Sequence, residues 1–152
     1  MFLLIAICAY MGIQATYFRN AIPVRRLDCT APWSDVASAG DVVIFVDCPA
    51  NGYTVFHADL FRSFCQWYRG RFGRNPVLLD TSAGTGESWD ALQLIWADHD
   101  IRTGGYKSFG GAGQVIWLRG GQVAGIERID GFENVESMIQ RTEEYFRAGQ
   151  EN

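Results

Sequence analysis

The chain has no two cysteines separated by two residues, and its two histidines, His57 and His99, stand without a second ligand at metal spacing. The zinc signatures and the dithiol motif of disulfide exchange are therefore missing, and neither a metal nor another cofactor is expected. Positive charge is also short: 13 Lys and Arg against 17 Asp and Glu leave a net charge of -4, and the cations are scattered along the sequence. Phosphate binding needs a concentrated basic surface, so these counts argue against a nucleic-acid partner. No internal repeat, low-complexity tract or interdomain linker interrupts the chain. No Lys or Arg precedes the first apolar run, as a cleaved secretion signal would require.

What is present bounds the rest. At 152 residues, 48% of them hydrophobic, the chain can bury one good core but not two. Twenty-one aromatic residues are many for this length; most are core material, and the surplus suits a partner surface. Residues 1–18, "MFLLIAICAYMGIQATYF", carry no charge. As a helix rising roughly 1.5 Å per residue they nearly span a hydrocarbon core of about 30 Å. They are expected to form a hydrophobic N-terminal helix serving as a single-pass membrane anchor, with a cleaved signal and a buried segment as alternatives. Residues 19–149 then form the folded domain. Arg19, Arg25 and Arg26 follow the segment and by the positive-inside tendency would keep the domain cytoplasmic.

Apolar periodicity gives a coarse map. "AIPVRRL" is a candidate first strand, followed by a short helix in "TAPWSDVASAG" with Thr30 as its cap. "DVVIFVD" is a continuous β-branched run of the kind found in strands covered on both faces. "HADLFRSFCQWYRGRFG" places Leu60, Phe61, Phe64, Cys65 and Tyr68 on one helical stripe. "NPVLLD" is a further strand, and "SWDALQLIWADHDI" a helix with Trp89, Leu92, Ile95 and Trp96 inward and Ser88 or Thr85 as its cap. "VIWLRGGQVAGIERI" reads as a hairpin turning at Gly120 and Gly121. The last helix carries Val135, Met138, Ile139, Thr142 and Phe146 at spacings of three and four.

That order, with a parallel crossover half, a hairpin and a terminal helix, resembles the thioredoxin-like fold over residues 22–147, most specifically in "GAGQVIWLRGGQVAGIERIDGFENVESMIQRTEEYF". The resemblance implies an α/β protein, a three-layer α/β/α sandwich on a mixed sheet. It also implies a site in the loop after the second strand, where the family places two cysteines at a helix N-terminus. Here the corresponding windows, Asn51–Thr54 or Tyr53–Phe56, hold no sulfur. The family's proline before the fourth strand falls at about Gly113, and it too is absent. Asp47 resembles the buried acid of active members, and without cysteines to serve it reads as a hydrogen-bonded carboxylate.

Two departures at one site point to a redox-inactive domain that binds protein, as an accessory or assembly subunit of a membrane complex. The resemblance favours an extracytoplasmic position, against the arginines. The expected partner groove comprises Cys48, Pro49, Asn51, Gly52, Tyr53 and Thr54, faced by Ala112 and Gly113. Cys29, Cys48 and Cys65 are candidates for a disulfide in an oxidising compartment. The competing enzyme reading is an atypical thiol oxidoreductase or peroxidase using Cys48. A further alternative is S-adenosylmethionine binding by the loop 77–86, in which Asp80, Gly84 and Gly86 follow an apolar strand.

Overall fold

The computed structural model describes residues 22–37, 40–47, 58–99 and 113–148. Among the described residues five strands and four helices follow one another: β1 Arg25–Asp28, α1 Trp33–Ala37, β2 Val42–Asp47, α2 Ala58–Phe72, β3 Val77–Asp80, α3 Glu87–Asp98, β4 Gln114–Arg119, β5 Gln122–Arg128 and α4 Val135–Arg147. A 3₁₀ turn, Ile129–Gly131, leads into α4. The sheet runs in the order β1-β3-β2-β4-β5. β1, β3 and β2 are parallel, whereas β4 is antiparallel to both β2 and β5. The expected mixed sheet and hairpin are both present, and Gly120 and Gly121 take the two left-handed positions of the turn.

Alternation along the central strands divides the interior in two. Val42, Ile44 and Val46 of β2 join Ile116 and Leu118 of β4 under α1 and α3, where Val36, Trp89, Leu92 and Trp96 close the layer. Val43 and Phe45 join Val115 and Trp117 on the other face, beneath Phe61, Phe64 and Tyr68 of α2 and Met138 and Phe146 of α4. All six residues of β2 are buried, as a strand with helices on both faces requires. Phe45 meets the Phe61 and Phe64 rings edge-on, with centroids 4.5 and 5.7 Å apart. Two buried indoles find partners across the layers. Trp96 Nε1 donates to Gln114 Oε1 at 2.7 Å, and Trp117 Nε1 to Thr142 Oγ1 at 2.9 Å.

Helix ends follow two different logics. α4 begins with a reciprocal capping box, Asn134 accepting from the Ser137 N–H while the Asn134 N–H reaches the Ser137 hydroxyl. The two caps expected near the N-terminal half are not used. Thr30 turns its hydroxyl back to Asp28 instead of starting α1, and α1 receives its first acceptor from Glu87 Oε1, 2.9 Å from the Trp33 N–H. Ser88 donates its hydroxyl to the Ala31 carbonyl at 2.7 Å, and Gly86, not Ser88 or Thr85, stands at the start of α3. Contact between the β1–α1 loop and the α3 terminus overrides local capping preference. The first strand is also shorter than "AIPVRRL", since pairing with β3 starts where the Arg25 N–H reaches the Pro76 carbonyl, past Pro23, which has no N–H to offer.

No helix among the described residues is long and apolar enough to cross a membrane, and residues 1–18 lie outside them.

Candidate functional site

The C-terminal ends of the three parallel strands meet at one edge of the sheet. Asp28, Asp80 and Asp47 stand at equivalent positions there, Asp80 paired in register with each of the other two. In open α/β sheets, ligands bind outside this edge. Asp28 is held by Thr30, whose hydroxyl and N–H both donate to it, and these bonds lower its pKa below the ordinary carboxylate value. Asp80 accepts from the Ser82 N–H at 2.8 Å, an Asx-type turn leaving β3. Asp47 ends β2 with only 4% of its surface exposed, and its carbonyl accepts both the N–H and the hydroxyl of Thr81, at 2.8 and 2.9 Å. Thr81 was not legible as a site residue, since nothing local distinguishes it from other polar residues after a strand.

Gly113 lies across from that end of β2. Its φ of 78° is left-handed, its N–H donates to the Val46 carbonyl at 2.8 Å, and its own carbonyl accepts from the Ile129 N–H at 2.7 Å. A proline there would lack the donor and would force φ near −65°. The missing proline is thus more than a substitution at Gly113, because the local backbone has a geometry that proline cannot share. The Gly113 N–H is spent within the chain, so this residue has no main-chain donor left for an extended peptide. Cys48, Pro49, Asn51, Gly52, Tyr53, Thr54 and Ala112, the other residues of the expected groove, lie outside the described residues.

The two described thiols are free and buried, each with 0% exposure. Cys29 belongs to the layer under α1 and α3, where its Sγ donates to the Thr85 carbonyl at 3.3 Å. Cys65 belongs to the opposite layer, under α2. Burial pushes its thiol far above the ordinary value, against a weaker opposing pull from Arg26. With the sheet between them, Cys29 and Cys65 do not form the pair that their sequence left open. A thiol so buried, with its proton so firmly held, is a poor nucleophile.

The loop proposed for S-adenosylmethionine has another explanation. A Cβ on Gly86 would lie 2.5 Å from the Thr30 Cα and 2.6 Å from the Cys29 carbonyl oxygen. The close approach that this glycine permits is already taken by the chain's own β1–α1 loop. The Trp89 N–H, in the first turn of α3, donates to the same Cys29 carbonyl at 3.2 Å.

No family model and no curated protein matches the sequence. Solved structures do match the fold. One, described as a proposed oxidoreductase with a thioredoxin fold, shares 14% identity, with 84% of this chain and 97% of that chain covered and a TM-score of 0.50. Another, a yeast mitochondrial 1-Cys peroxiredoxin, shares 12% identity, covers 80% of this chain and 94% of that chain, and has a TM-score of 0.47. The strand order, the parallel crossover half and the closing hairpin and helix, together with the first of these likenesses, give the chain a thioredoxin-like fold.

Proposed function

We propose that the protein is a redox-inactive thioredoxin-like domain, tethered to a membrane by residues 1–18, that binds protein as an accessory or assembly subunit of a membrane complex. The observation that carries the reading is Gly113, whose left-handed backbone and Val46 hydrogen bond replace the proline that active members set against their dithiol. The inaccessible thiols of Cys29 and Cys65 add to it. Since the Gly113 N–H is already engaged, we assign recognition to side chains of residues 48–54, Tyr53 first among them.

The test compares proteins that co-purify in mild detergent with the wild-type chain and with Tyr53→Asp. A defined partner lost from the variant supports the groove; an unchanged set of partners overturns it.

A second reading is favoured by one feature. Cys48 directly follows Asp47, a carboxylate buried at the end of β2, and a structural neighbour is described as a proposed oxidoreductase. Insulin reduction or peroxide turnover by the purified chain, abolished in Cys48→Ser, would establish that reading over the first.

A further inference from the structure

The two tyrosines among the described residues spend their hydroxyls differently. Tyr68, fully buried in the α2 layer, donates to the Asp41 backbone carbonyl at 3.2 Å, an acceptor that does not take up a proton. Tyr145, half-buried in the last turns of α4, donates to Glu127 Oε1 of β5 at 2.7 Å, and a carboxylate does take one up. Only the second phenol can therefore lose an electron and pass its proton directly to a base.

The acceptor is held in place as well as near. Arg141 Nε reaches the same Glu127 oxygen at 2.8 Å, and its guanidinium carbon stands 5.9 Å from the centre of the Tyr145 ring. Gly125 has no Cβ to hold the ring off the β5 backbone; one there would fall 2.2 Å from Tyr145 Cζ. Arg141 also pairs with Glu144 at 2.9 Å, and Arg119 Nη1 donates to the Tyr145 carbonyl at 3.4 Å.

Inward, the Tyr145 ring meets Trp117, with centroids 5.0 Å apart and a tilt of 42°. Trp117 is wholly buried, and its Nε1–H donates to the Thr142 hydroxyl, which in turn donates to the Met138 carbonyl at 2.9 Å. Neither of those oxygens is a base. A positive hole formed on either ring therefore comes to rest on Tyr145, the member of the pair whose proton lies against a carboxylate.

We propose that Tyr145 is a site of proton-coupled one-electron oxidation, modified by small radical oxidants of the nitrogen dioxide class, with Glu127 as the proton acceptor. One electron passes from the phenol to nitrogen dioxide, which leaves as nitrite. The O–H bond breaks, its proton passes to Glu127, and a neutral phenoxyl radical remains. A second nitrogen dioxide forms a C–N bond at a ring carbon next to Cζ, and the hydrogen of that carbon leaves as a proton to give 3-nitrotyrosine. The chemistry uses no thiol, anchor or partner, so it stands apart from both readings of the site.

The experiment exposes the full chain to nitrogen dioxide generated by pulse radiolysis. The phenoxyl radical is followed by its transient absorption, with Tyr145→Phe identifying the Tyr145 component, and 3-nitrotyrosine is located residue by residue by mass spectrometry. Tyr145 should be nitrated in preference to Tyr68, and its radical should form more slowly in deuterated water. Glu127→Gln keeps a hydrogen-bond acceptor that takes up no proton. It should slow Tyr145 oxidation about 10-fold, less than the usual 100-fold or more of a positioned base because water reaches a half-buried hydroxyl. Arg141→Gln removes the ion pair and leaves the acceptor, so nitration of Tyr145 should persist. Nitration of Tyr145 no faster than that of Tyr68, or equal in the wild type and Glu127→Gln, overturns the proposal. Equal slowing in Glu127→Gln and Arg141→Gln also overturns it, because ring placement and not proton transfer would then control the rate.

Discussion

The Gly113 N–H donates to the Val46 carbonyl at 2.8 Å from a backbone with φ of 78°. One residue thereby extends the β2–β4 pairing and turns the chain into β4. Placing a proline at this position should consequently harm the fold. Gly113→Pro loses a hydrogen bond of about 1 kcal/mol and adds strain of about 1–3 kcal/mol, and Gly113→Ala keeps the bond but costs about 1–2 kcal/mol. Urea denaturation of the three proteins should rank them wild type, Ala, Pro.

Gly125 is governed by contact, since its neighbour occupies the space of a side chain. A Cβ on it would lie 2.2 Å from the Cζ of Tyr145, whose ring packs tilted on Trp117 with centroids 5.0 Å apart. The ring is pinned at its far end, where the hydroxyl donates to Glu127 Oε1 at 2.7 Å. Gly125→Ala should destabilise by about 1–3 kcal/mol. Combined with Tyr145→Ala, which removes the obstacle, it should cost less than the two single changes added together, a coupling that a double-mutant cycle reads directly.

Trp96 and Gln114 form a buried polar pair in the α3 layer, with the indole donating to the amide oxygen. Gln114→Leu leaves the indole N–H without its partner and should lose about 1–3 kcal/mol. Adding Trp96→Phe removes the orphaned donor, so part of that loss should return. If the double variant is instead less stable than Gln114→Leu by a full cavity cost, packing of the larger ring dominates the pair.

Tyr145 also sets an alkaline limit. Burial, aided by the Glu127 carboxylate that accepts its proton's hydrogen bond, pushes its pKa up from 10.0 to about 12. A group with a raised folded-state value holds its proton more tightly when folded. Its stabilisation is complete below pH 10 and is lost as the pH climbs through about 12. Stability measured between those limits should fall more steeply for the wild type than for Tyr145→Phe, which has no proton to lose.

The described thiols offer a check on accessibility. Neither Cys29 nor Cys65 should react with a neutral thiol reagent in the folded protein, and both should react on unfolding. Rapid native alkylation of Cys65 would mean that the α2 layer opens readily.

The architecture was legible where periodicity is strong. "DVVIFVD" announced a doubly covered strand, and the α2 and α4 stripes named Phe61, Phe64, Tyr68, Met138 and Phe146 as core residues. The Gly120–Gly121 turn announced the hairpin in the same way. Capping was not legible in the first half, because Ser88 and the start of α1 are satisfied by groups more than fifty positions away: Ser88 bonds Ala31, and Glu87 supplies Trp33. The functions of Gly86 and Gly125 were equally hidden, each being fixed by an obstacle contributed from another element. At the site, the sequence marked Asp47, which ends β2, and Gly113, which precedes β4. It held no sign of Thr81, of the hydrogen bonds that occupy Gly113, or of the separation of Cys29 from Cys65.

The arginines of α2 and the turn after it, Arg62, Arg69, Arg71 and Arg74, and the acids of α3, Glu87, Asp90 and Asp98, lie on opposite faces of the sheet, which makes the isoelectric point, near 5.1, a poor guide to behaviour close to another charged body. A particle with separated poles experiences a torque before it experiences much net attraction or repulsion. Such a domain would meet a charged neighbour already turned, with the acids of α3 facing away from an anionic one.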